Sequence, residues 1–68
     1  MNDKITEKEL KEAYKKAGYR ERHAMDHGEA KVVHTGGRRC ICFSLPEDDE
    51  HQNANGALYD ADNKKWVN

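Results

Sequence analysis

Two adjacent glycines, Gly36 and Gly37, stand between Ala-Lys-Val-Val-His-Thr on one side and Arg-Arg-Cys-Ile-Cys-Phe-Ser-Leu on the other. No other feature of the chain constrains its fold as much. A Gly-Gly pair supplies the positive φ angles of a two-residue hairpin turn without steric cost. The spacing predicts strands over residues 30–35 and 38–45, and it also sets their register. Thr35 opposes Arg38, His34 opposes Arg39, Val33 opposes Cys40 and Val32 opposes Ile41. Side chains alternate across a strand, so Ala30, Val32, Ile41, Phe43 and Leu45 share one face, the expected core side. Lys31, Val33, Cys40, Cys42 and Ser44 share the other.

The element ahead of this hairpin is a helix over residues 7–17. Thr6 and Glu9 have the spacing of a capping box, and Ile5 and Leu10 that of a hydrophobic staple. Leu10, Ala13, Tyr14 and Ala17 recur at i, i+3, i+4 and i+7 and make one apolar stripe. Glu7/Lys11 and Glu12/Lys16 are i,i+4 pairs in the favourable order. Gly18 is the expected C′ residue, with Tyr19 folding back on Tyr14. After Gly18 the pattern has period two. Tyr19, Glu21, His23 and Met25 would line one face of a first strand, Arg20, Arg22 and Ala24 the other, and 26–29 would be a turn. The rival reading continues residues 19–27 as a second helix.

Beyond Pro46 the run Glu47-Asp48-Asp49-Glu50 is expected to open a short helix, with proline and acids in its first turn. It would end at Asn53-Ala54-Asn55-Gly56. Residues 57–59 and 65–67 flank a polar segment and read as a closing hairpin, with Asn63 as the positive-φ candidate. The expected class is α+β: one N-terminal helix packed on a small antiparallel β-sheet of three to five strands, in a single domain spanning 1–68.

Leu, Ile, Val and Phe number nine of the 68 residues. A chain so small buries only about 60% of its unfolded surface, so the fold is expected to be marginal, with room for help from a homodimer or a bound partner. The longest apolar run is Cys40 to Phe43, far short of the roughly 20 residues that span a bilayer. The start reads as neither a secretory signal nor a transit peptide. The expected setting is cytoplasmic, with no membrane contact.

Catalytic and cofactor chemistry finds little purchase. Ser44 lies on a strand without a base, and the acids at 47–50 are contiguous and not opposed across a cleft. The Cys40-x-Cys42 spacing is not that of a zinc knuckle. His23 and His27, four apart, could share an ion only on a helix. On a strand, His23 and His34 face away from both cysteines. The expectation is no metal, no cofactor and no enzyme. Asp60-Ala61-Asp62-Asn63 lacks the glycine and the oxygen ligand that a calcium loop needs further on, and no helix follows Gly36-Gly37 to make a phosphate loop.

Charge is the remaining signal. Residues 15–39 carry Lys15, Lys16, Arg20, Arg22, Lys31, Arg38 and Arg39 against three acids. Residues 40–63 carry Glu47, Asp48, Asp49, Glu50, Asp60 and Asp62 and no Lys or Arg, yet the whole chain has a net charge of only -1. Helix, strand, strand, strand is the order of double-stranded-RNA-binding domains. The stretch from Leu10 to Pro46 resembles the HicA-type toxins: a helix ending Ala-Gly-Tyr, a hairpin with a histidine, a glycine turn and a strand ending in proline. Asp26-His27-Gly28 stands where that family has Gly-Ser-His. The resemblance implies a small RNA/DNA-binding domain or RNA-directed toxin using the basic region. In general style the chain is similar to the small inhibitors of phages and mobile elements, anti-CRISPR proteins among them. The leading expectation is a non-enzymatic protein-binding module, an inhibitor or adaptor that occludes a partner surface. A near-neutral total weakens attraction to a polyanion, whereas a protein partner can use both patches. The expected binding residues are Arg20, Arg22, Arg38, Arg39, Glu47, Asp48, Asp49 and Glu50, with Tyr59 or Trp66 as an apolar anchor.

Overall fold

The computed structural model describes residues 4–67. Two helices, α1 (Glu7–Lys15) and α2 (Tyr19–His27), precede a meander of four antiparallel strands. The strands are β1 (Glu29–Thr35), β2 (Arg38–Ser44), β3 (Ala57–Asp60) and β4 (Lys65–Val67), in that spatial order. A short 3-10 turn, Gln52–Ala54, lies between β2 and β3. The class is α+β, as the sequence implies, with one helix more than expected.

The hairpin at the centre follows the glycine pair. Gly36 and Gly37 have φ of +57° and +74°, and β1 pairs with β2 in the register read from the sequence, Thr35 with Arg38 through Val32 with Ile41. Cross-strand partners then propagate the core face. Ile41 lies beside Tyr59 and Tyr59 beside Trp66, while Phe43 lies beside Ala57. Those residues, with Leu45, meet Ala13 of α1, Ala24 of α2 and Ala54 of the 3-10 turn in one cluster. Small residues on the helices let their backbones approach the sheet closely. The Trp66 ring packs 5.6 Å from Phe43 and 5.2 Å from Tyr59, and its indole N–H donates to the Ala13 carbonyl.

The start of α1 is as expected. Thr6 Oγ1 accepts the Glu9 N–H, the Glu9 carboxylate accepts the Thr6 N–H, and Ile5 and Leu10 pack on the core. Thr6→Ala removes an acceptor for an otherwise orphaned N–H. It should destabilise the fold by about 1 kcal/mol, read as a lower denaturation midpoint at unchanged slope.

Residues 19–27 correct the strand reading: they are helix, and the rival reading holds. Period-two alternation is no guide where both sets of side chains are long and polar. What the sheet needs from this segment is one small residue at the crossing, and Ala24 supplies it, fully buried. Gly18 accordingly caps the beginning of α2 rather than the end of α1. Its φ is −85°, its carbonyl accepts the Arg22 N–H, and the Glu21 carboxylate accepts its own N–H at 3.0 Å. Tyr19 does not fold back on Tyr14; it is 97% exposed. A single residue, Gly28, separates α2 from β1, so no loop exists there to build the expected first hairpin.

Two smaller expectations also change. The acidic run after Pro46 forms a turn, and the 3-10 turn comes later, at Gln52–Ala54. Side chains add to the turn and 3-10 hydrogen bonds of this connection: Asn55 Oδ1 accepts the Leu45 N–H, and Asp49 Oδ1 accepts the His51 N–H. In the closing hairpin the positive φ belongs to Lys64, not Asn63, because Asn63 is held by Asp60.

Candidate functional site

The two faces of the sheet are treated differently by the chain. All helical elements join the cluster on the face of Ile41, Phe43 and Tyr59. No helix joins the other face; at one end of it Cys40 and Asp60 are fully buried under the turn after β3 and Arg38. Lys31, Cys42, Leu58 and Val67 are successive cross-strand partners and form one row across all four strands. Val33 stands in the next row, beside Cys40. Val33, Cys42, Leu58 and Val67 are half-buried, and Lys31 and Lys65 are exposed. This is a bare apolar strip with a basic margin of Lys31, Arg38 and Lys65, and Glu29 at one corner.

One end of that face is closed by a carboxylate. Asp60 has no exposed surface. Its oxygens accept the N–H groups of Asp62 and Asn63, the Asn63 side-chain amide and one Arg38 N–H at 3.1 Å. The Asn63 backbone bond, then its amide and the Arg38 charge, hold the Asp60 carboxyl below its ordinary range. Cys40 lies beside it, and burial, aided by Asp60, pushes that thiol up. Cys40 is buried and Cys42 half-buried, both as free thiols.

Most of the expected binding residues are engaged within the fold. Arg39 is on the core-side face, where it pairs with Glu9 and donates to the Lys4 carbonyl at 2.8 Å. Burial opposes ionisation of Glu9, but the Thr6 N–H and Arg39 together keep its carboxyl lowered. Arg38 is paired with Asp60. Arg22 lies over the Tyr14 ring at 5.1 Å, and Arg20 is half-buried on α2. Tyr59 is 1% exposed and Trp66 is packed against the core, so neither is a surface anchor. This corrects the sequence reading: their apolar bulk completes a small core instead. Glu47, Asp48 and Glu50 are exposed, while Asp49 is half-buried against α2, its carboxylate 2.8 Å from His23 Nε2. Asp49 therefore belongs to the helical side of the molecule, and Lys31 and Lys65 to the bare face.

The sequence reading missed the bare strip itself. The alternation of Val33, Cys40 and Cys42 had marked a second face of the hairpin. That no helix covers it depends on where α2 goes.

An open groove of about 970 Å³ runs along α1 over Leu10, Met25, Ala30 and Phe43. Its rim mixes Glu7, Glu12 and Asp26 with Lys8, Lys11 and Lys15, so it selects no sign of partner charge. No helix among the described residues is long and apolar enough to cross a membrane.

Glu9, Asp49 and Asp60 all have lowered pKa values. A depressed carboxylate contributes stability that is present above its unfolded pKa and lost as pH falls through its folded one. The melting temperature should therefore hold from neutral pH to about pH 5 and fall steadily below that. Asp60→Asn should flatten this acid limb while lowering stability at pH 7. An acid limb of unchanged steepness in the variant would show that Asp60 is not the group being titrated.

Comparison with protein-family models, with curated proteins and with solved structures finds no match to the chain.

Proposed function

We propose that the chain is a non-enzymatic protein-binding module, an inhibitor or adaptor that acts by covering a partner's surface with the bare face of its sheet. The observation that carries this reading is the uncovered row Cys42, Leu58 and Val67 with Val33 beside it. A contiguous apolar row on a sheet face that no helix joins is the kind of patch a partner can cover. The exposed Lys31 and Lys65 at its edge specify the occupant: a protein with an apolar patch bordered by acidic groups. The small inhibitors of phages and mobile elements, anti-CRISPR proteins among them, are the proposed functional style, and the cytoplasm is the proposed setting, where two free thiols stay reduced. Nucleic-acid binding has less support. Arg38 and Arg39 are each paired with a carboxylate, which leaves fewer charges for phosphate neutralisation.

The test is affinity capture from nuclease-treated lysate with the wild type, a Val33→Lys/Leu58→Lys variant and a Glu47→Lys/Asp48→Lys variant. A defined protein held by the wild type and the acidic-run variant, and lost with the bare-face variant, supports the reading. Sedimentation of the isolated chain separates self-association from a foreign partner. Cargo that disappears on nuclease treatment and depends on Arg20 and Arg22 overturns it in favour of RNA.

A further inference from the structure

The four arginines of the chain fall into two pairs. Arg38 and Arg39 are each matched to a carboxylate, Asp60 and Glu9. Arg20 and Arg22, in the first turn of α2, have no carboxylate partner among the described residues. Arg20 is half-buried, and its Nε is sealed from solvent with no acceptor. A buried charged donor without an acceptor is costly, and nearly all such donors are satisfied by the protein or by a bound group. Arg22 is exposed and lies over the Tyr14 ring at 5.1 Å. Both side chains line a cleft of about 490 Å³ between α2 and the 3-10 turn.

The rest of the lining narrows the ligand. Tyr19 borders the cleft with 97% of its surface exposed, an aromatic face left to solvent. Asn53 brings an amide, which both donates and accepts. Asp26 is the one acid on the described lining, because Asp49 is drawn away to His23 and to the His51 N–H. Two fixed positive charges thus stand against one negative. An inorganic anion would use the arginines alone and leave Tyr19, Asn53 and Asp26 without a role. An acidic peptide would be repelled by Asp26. A nucleotide uses the whole set. Guanidinium groups take phosphate oxygens, a carboxylate accepts from ribose hydroxyls, an aromatic ring stacks on a base and an amide pairs with the base edge.

We propose that this cleft binds a nucleoside monophosphate, with Arg20 and Arg22 on the phosphate, Asp26 on the ribose and Tyr19 against the base. Its volume is that of a small-molecule site, for which the range is about 300–1,000 Å³. Ala54 is fully buried and anchors the 3-10 turn in the core, so the wall opposite α2 is set before a ligand arrives. A turn of the Arg20 guanidinium about its side-chain bonds brings Nε to a phosphate oxygen and gives it the acceptor that the fold withholds. The ligand is a single nucleotide and not a strand. One phosphate needs only these two arginines, whereas a net charge of -1 disfavours a polyanion. The site lies on the helical side and does not depend on the reading of the bare face.

The experiment is calorimetric titration of the full chain with adenosine monophosphate (AMP), with adenosine and with inorganic phosphate, alongside thermal melts. The expected result is one AMP per chain, with adenosine and phosphate each bound at least about tenfold more weakly. Arg22→Gln and Tyr19→Ala, both at exposed positions, should keep the wild-type melting temperature. Arg22→Gln should weaken AMP and phosphate alike by about tenfold. Tyr19→Ala should weaken AMP by about tenfold and leave phosphate unchanged. Val33→Lys/Leu58→Lys should bind AMP as the wild type does, which separates this site from docking through the bare face. Absence of saturable AMP binding, or binding unchanged in the Arg20→Gln/Arg22→Gln double variant, overturns the proposal. Phosphate bound as tightly as AMP overturns it too, since the ring and the ribose would then have no site. A single-stranded RNA oligomer bound over a hundredfold more tightly than AMP, with a steep loss in salt, overturns it in favour of a strand.

Discussion

Phe43→Ala is expected to leave the chain largely unfolded at room temperature. Phe43 is 2% exposed at the middle of the sheet, against Trp66 and opposite Ala57. Emptying such a position costs about 3–5 kcal/mol, the lost transfer energy plus the cavity left behind. A domain of this length holds only on the order of 3–10 kcal/mol in all. With so few large apolar residues, no neighbour is available to collapse into the hole. Circular dichroism should show most helical signal lost, and urea should reveal no native baseline. Cys42→Ala, one residue along but on the bare face, should keep a cooperative transition. Equal effects at the two positions would mean that the two faces have been misassigned.

Gly28→Ala should produce the second large effect, by a different mechanism. Gly28 has a φ of −96°, so backbone strain is not involved; space is. A Cβ here would sit 2.4 Å from the Ala24 carbonyl oxygen and 2.9 Å from that of Ser44. Both are backbone atoms, one in the last turn of α2 and the other ending β2, and neither can move without displacing its element. Overpacking costs about 1–3 kcal/mol where side chains can yield, and the upper end or beyond is expected here. Gly18→Ala is the control: its Cβ would meet only the mobile Glu21 carboxylate at 3.0 Å, and the loss should be a small fraction of that at Gly28. A melting temperature for Gly28→Ala close to wild type would remove the tight helix-to-strand junction from this description.

The parts of the fold that were legible in the sequence are those fixed by local chemistry. The Gly36-Gly37 turn dictates the register of β1 and β2 because positive φ at two successive residues leaves one hairpin geometry. Thr6 and Glu9 dictate the start of α1 because each satisfies the other's backbone N–H. The faces of β2 follow from alternation once the register is known. Residues 19–27 were not legible because their long polar side chains satisfy either periodicity. The deciding contact, Ala24 on the sheet, is tertiary. The site followed the same division. The separation of basic and acidic stretches could be read directly, but not that Arg38 and Arg39 would be taken up by Asp60 and Glu9, since those pairs join residues far apart in the chain. Tyr59 and Trp66 looked like anchors because aromatics are few, and for the same reason the core claims them. The contacts of His23 with His27, His51 and Asp49 depend on α2 being a helix, so they emerged only with the fold.

Docking through the bare sheet face is tested most directly by the native thiols. In the free chain Cys42 is half-buried on that face, while Cys40 is fully buried and its pKa is raised by burial and by Asp60. Thiolate access controls reaction with a maleimide, so brief labelling of the free protein should modify Cys42 and spare Cys40, as read by peptide mass. Labelling repeated on the complex purified by affinity capture should leave Cys42 protected. A Cys42 that reacts at the free rate within a stable complex would contradict the account, because the partner would then be held by some other surface.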